Sequence, residues 1–88
     1  MHTPAEIAAY MVAELERERY LSQDMVVYQI SEKFGEEFTP LNDNGNLSIR
    51  RDVLAAFKKL TGDDVVWERG ERLWRKREQH DEPGRRQA

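Results

Sequence analysis

Apolar residues in this chain change their spacing once, and that change decides its fold class. As far as Leu60 they recur every three or four residues, as on helices that bury one face. Beyond it the pattern turns β-rich, with Val65-Val66-Trp67 and Leu73-Trp74 on either side of Arg69-Gly70, which predicts a hairpin. Three helices followed by a hairpin define an α+β domain. Its predicted extent is residues 3–76, with 77–88 an aperiodic tail broken by Pro83-Gly84.

The helices carry their own start and stop signals. Thr3, Pro4 and Glu6 form a capping box with proline at the first helical position. Ile7, Met11 and Leu15 follow as a core stripe, and the polar run Glu14 to Arg19 ends the helix. Tyr20-Leu21 reads as a brief extended link, one short edge strand at most. Ser22 or Asp24 caps a second helix with the stripe Val26 or Val27, Ile30 and Phe34, and Gly35 ends it. The long connection 36–48 contains Pro40 and the turn-forming run Asn42 to Asn46, with Phe38, Leu41 and Leu47 expected to pin it to the core. Ser48 is the expected cap of helix three, whose stripe is Ile49, Val53, Phe57 and Leu60 and whose stop is Gly62. The hairpin admits two registers, a two-residue Arg69-Gly70 turn or a three-residue loop with Gly70 at a bulge. They pair the tryptophans with different partners.

Composition narrows the chemistry. The 88 residues contain no cysteine, so no disulfide framework or thiolate metal site exists, and a cytoplasmic location is expected. No apolar run reaches the roughly 20 residues of a membrane span. Eight aromatic residues must supply much of the core in so small a domain. The only histidines, His2 and His80, sit near the two ends, so no nucleophile–histidine pair is expected within the fold. With no phosphate-binding glycine loop either, the reading is not an enzyme, with no catalytic residues and no cofactor. The Asn-rich loop fails as a calcium site. Setting Gly45 at the sixth position puts Pro40 first and Arg51 twelfth, where carboxylates are required.

The net charge of −3 conceals a division. Residues 1–47 hold nine acids and three bases, and residues 48–88 hold eight acids and eleven bases. The basic half offers two candidate surfaces. Arg50, Arg51 and Lys58 lie off the core stripe of helix three, where they would reach phosphates or base edges of double-stranded DNA, with Ala55 permitting close approach. Arg69, Arg72, Arg75 and Lys76 in the hairpin would contact the DNA backbone, unless Glu68, Glu71 and Glu78 neutralise them. Both tryptophans are read as core closers. A third surface is the excess apolar area of helix one, Ala9, Tyr10 and Val12, open to a homodimer seam or a protein partner and equally to burial within the monomer.

The order helix, short strand, helix, helix, hairpin resembles the winged helix-turn-helix domain over residues 4–76. That resemblance implies a DNA-reading third helix and a hairpin wing. The chain departs from it in the connection between helices two and three, about a dozen residues where a compact helix-turn-helix uses three or four. Separately, the strings VVYQISEKFG, NGNLSI, DVLAAFKKLT, VVWERGERLWRKRE and PGRRQ resemble a family of small uncharacterised bacterial proteins over residues 20–87. This second resemblance implies a bacterial source and carries no function. The expectation is a regulatory DNA-binding protein. The alternative is a protein-interaction module of the same fold that uses helix one or the acidic N-terminal half.

Overall fold

The computed structural model describes residues 2–78 and the backbone of residues 86–87. The elements are α1 (Pro4–Glu18), β1 (Tyr20–Ser22), α2 (Gln23–Phe34), a 3-10 turn (Glu36–Phe38), α3 (Arg51–Thr61), β2 (Val65–Glu68), β3 (Leu73–Lys76) and β4 (Arg86–Gln87). Three helices and a C-terminal hairpin make the α+β architecture that the change of period predicts. The sheet order is β1-β3-β2-β4, with β1, β3 and β2 antiparallel and the two-residue β4 parallel to β2. Apart from Arg77, Glu78 and the backbone of β4, the expected tail lies outside the described residues.

α1 starts as its cap dictates: Thr3 is extended, Pro4 is the first helical residue, and the Glu6 N–H donates to Thr3 Oγ1 at 3.2 Å. The Glu6 carboxylate turns to the His2 ring. Ile7, Ala8, Met11 and Leu15 are buried, and α1 packs chiefly across α3. The chain then reverses at Arg19, whose φ of 75° is in the left-handed region. That turn lets Tyr20–Ser22 pair with β3 as an edge strand.

Two caps differ from expectation. Ser22 stands at the N-cap of α2 without a side-chain hydrogen bond, and Asp24 lies inside the first turn. α3 begins at Arg51, and Ser48 does not cap it. The Ser48 hydroxyl donates instead to the Pro40 carbonyl at 2.8 Å, and its N–H reaches the same oxygen at 2.9 Å. These bonds close a miniature hairpin. Leu41 bridges Leu47, and Asn42 Oδ1 accepts from the N–H groups of Asn44 (2.9 Å) and Asn46 (3.0 Å). The long connection is therefore an ordered turn with its own hydrogen bonds. Phe38 anchors it in the core and Leu47 is half-buried, but Leu41 is 68% exposed and pins nothing.

The late start of α3 shifts its inner face. Ile49 is buried ahead of the helix, Val53 and Phe57 are buried within it, and the next core position falls on Thr61. The Thr61 hydroxyl satisfies itself on the Phe57 carbonyl at 2.9 Å, so burying it carries little penalty. Leu60, expected in the stripe, is 58% exposed.

The hairpin takes neither expected register. Val65 pairs with Lys76 and Glu68 with Leu73, which leaves a four-residue loop, Arg69 to Arg72, and sets Trp67 opposite Trp74. Their rings lie 4.7 Å apart, and Trp74 also meets the Phe57 ring edge-on at 5.3 Å. Trp74 thus closes the core between sheet and α3, while Trp67 is half-buried beside it.

Candidate nucleic-acid interface

α3 presents one polar stripe to solvent. At 100° per residue, Arg51, Ala55, Lys58, Lys59 and Gly62 fall within about a third of the helix circumference. All five are exposed. Among the described residues, Arg51, Lys58 and Lys59 have no carboxylate partner within ion-pair distance.

Arg50, the residue before the helix, is committed elsewhere. Its Nε and Nη2 donate to the two oxygens of Asp52, each at 2.8 Å, and its guanidinium carbon lies 4.4 Å from the centre of the Phe38 ring. Nη1 points at the Glu37 carbonyl at 3.5 Å. The Arg50 hydrogen bond holds the Asp52 carboxyl below the usual carboxylate range, and Asp52 raises Arg50 in return. Of the two adjacent arginines, one has its hydrogen-bonding fork occupied and the other has no acid on it among the described residues.

The hairpin bases are mostly neutralised. Arg75 donates from Nε (2.9 Å) and Nη2 (2.6 Å) to Glu68 Oε1, a diagonal pair across β2 and β3 that is only about a fifth exposed. Lys76 reaches back to Glu16 of α1, and Arg72 to Asp24 of α2 at 3.2 Å. Arg69, in the loop, is exposed and has no such partner among the described residues. The structure therefore does not join the hairpin cations to the α3 stripe as one free basic surface.

Nor do the α1 candidates form a patch. Tyr10 is half-buried. Its hydroxyl donates to Glu14 at 3.0 Å, with the Gln29 side-chain oxygen of α2 at 2.9 Å, and its ring meets Phe34 at 5.5 Å. Burial first, then the Glu14 hydrogen bond, pushes the Tyr10 phenol up to about 12. The Arg17 guanidinium, donating to Glu14 from Nε at 2.9 Å, is the main cause that lowers the Glu14 carboxyl. Val12 is half-buried against the core, and Ala9 is exposed.

Sequence reasoning missed three exposed apolar side chains. Tyr20, Met25 and Tyr28 are 49%, 62% and 63% exposed. Tyr20 and Met25 help line a cavity of about 150 Å³ between the end of α1 and the start of α2, with Glu14, Glu18 and the Arg17 paired to both on its wall. The signal was available, since Met25 and Tyr28 are the apolar residues of α2 left over once Val26, Val27 and Ile30 are assigned inward.

A family model matches residues 3–76, from the cap of α1 to the last residue of β3. The chain belongs to DUF6953, a family of unknown function. The matched span of DUF6953 takes in the whole α3 stripe, the hairpin and the Tyr20–Met25 cavity. No curated protein and no solved structure matches the chain. Among the described residues no helix is long and apolar enough to cross a membrane.

Proposed function

We propose that this domain binds double-stranded DNA through the exposed face of α3. The observation that carries the proposal is the stripe: the cations Arg51, Lys58 and Lys59, without acid partners among the described residues, share one helix face around the small Ala55. A helix with that face fits a major groove, where cations meet phosphates and a small central residue permits approach. The order of elements, and the way β1 joins the hairpin through β3, agree with a winged-helix reading. In this reading the hairpin strands contribute little charge, and Arg69 of their loop, without an acid partner among the described residues, supplies a phosphate contact.

The test is fluorescence anisotropy with a mixed-sequence duplex, titrated from low to physiological salt. Three phosphate contacts, from Lys58, Lys59 and Arg69, give a slope of log affinity against log salt of about −2.7. Lys58→Glu with Lys59→Glu should abolish binding without unfolding the domain, because both residues are exposed. Absence of binding by the wild-type protein at low salt discards the proposal.

A second reading, a protein-interaction role, draws on the exposed Tyr20, Met25 and Tyr28. The cavity beside Tyr20 and Met25 is walled by Glu14 and Glu18 with Arg17 paired to both, so the occupant would be an apolar anchor of a partner protein. A peptide of alternating lysine and leucine, titrated while the amides of α2 are followed by NMR, decides this reading. No shift at Met25 or Tyr28 removes it.

A further inference from the structure

We propose that Arg51 is the specificity-determining residue of α3, reading one guanine through O6 and N7, while Lys58 and Lys59 supply phosphate attraction alone. This rests on the DNA-binding reading above and assigns roles within its stripe.

Reading a guanine in the major groove takes two donors side by side on one planar group. Lysine is a point charge on a flexible stem and cannot present them in a fixed geometry. The exposed stripe of α3 holds no asparagine, glutamine, serine or threonine, so adenine has no bidentate reader there. Two arginines remain, and the structure separates them. The Nε–Nη2 edge of Arg50, the edge that would face a guanine, is closed on both oxygens of Asp52. The Phe38 ring and the Glu37 carbonyl hold the same group from other sides. Arg51, one residue on, is exposed, and its fork meets no acid among the described residues.

The same clamp determines what Asp52 does. Asp52 is exposed in the first turn of α3 and suited to accept from a cytosine amino group. Bound by Arg50, it is not free to do so. Arg50 thus occupies the one carboxylate of that turn, and the pair takes both groups out of base reading.

The experiment selects from a randomised duplex library by binding and sequencing, with affinities of the recovered duplexes measured by anisotropy. Wild type should enrich guanine at one position per bound domain, with a preference of about 5- to 150-fold over other bases. Arg51→Lys keeps the charge and loses the fork. It should lose that preference while keeping the salt slope. Lys58→Gln should keep the preference, weaken all sequences alike and reduce the salt slope by about one. Asp52→Ala, which frees Arg50, should broaden or shift the preferred base position. Retention of guanine preference by Arg51→Lys, or its absence in a wild type that binds DNA, overturns the assignment and leaves the binding reading standing. Failure of the wild type to bind any duplex overturns both.

Discussion

Arg19, like Arg72, holds a left-handed backbone conformation without being glycine. A non-glycine residue at φ 75° costs about 1–2 kcal/mol, and glycine there would give back roughly 0.5–1 kcal/mol in unfolded-chain entropy. The Arg19 side chain is exposed and makes no ion pair among the described residues, so nothing else is lost. Arg19→Gly should therefore stabilise the domain by about 0.5–1 kcal/mol, read as a higher Tm; a lower Tm would refute the strain argument. Tyr10 offers a test by pH. Its folded value near 12 lies above the ordinary 10, so its contribution is complete below pH 10 and is lost as pH rises toward 12. In urea titrations, the advantage of wild type over Tyr10→Phe should shrink between pH 8 and pH 11.5. An unchanged difference would show that the hydroxyl is not held as described. At this scale legibility was uneven. Thr3 and Pro4 act as their types demand, because a cap depends on neighbours two or three residues away. Ser48 could not be read the same way, since its partner, the Pro40 carbonyl, comes from a turn whose closure depends on Asn42.

At the scale of elements, the periodicities of α1 and α2 show in the chain because each buries one continuous face. The inner face of α3 was legible as far as Phe57 and then slipped by one residue. Thr61 could replace Leu60 only because a helical threonine can return its hydroxyl to the Phe57 carbonyl. The hairpin register was beyond local reading for another reason. Arg69-Gly70 suggests a tight turn, but opposing Trp67 to Trp74 brings Trp74 onto Phe57 of α3, a contact between distant parts of the chain. The same pairing sets Arg75 diagonal to Glu68, which spends a cation the sequence offered to DNA. Arg75→Gln with Lys76→Gln should accordingly leave duplex affinity within about twofold, a change of less than ~0.5 kcal/mol. Lys58→Gln with Lys59→Gln removes two phosphate contacts and should flatten the salt slope by about two. If the hairpin pair weakens binding as much as the lysine pair does, those ion pairs open on contact with DNA and the wing belongs to the interface.

Across the whole molecule, the division of charge between the halves of the sequence is only partly a division in space. Lys76 returns to Glu16 and Arg72 to Asp24, so the hairpin carries basic charge from the second half onto acids of the first. What survives is a positive stripe on α3 and a partly apolar surface where α1 meets α2, whose Glu14 and Glu18 are paired with Arg17, the two candidate interfaces. In the chain the first shows only as basic charge, because partnered and unpartnered arginines look alike until the fold brings acids to some of them. The two surfaces make separable predictions for one measurement, amide chemical shifts on adding a duplex at low salt. DNA in contact with α3 should move the amides of residues 51–59 and that of Arg69, and leave Met25, Tyr28 and Glu32 unmoved. Shifts confined to residues 51–59 would place the duplex on the stripe and leave the Tyr20–Met25 cavity open for a protein partner at the same time. Shifts at Met25 and Tyr28 instead would mean that apolar contact outweighs charge, and α3 would no longer be the surface to mutate.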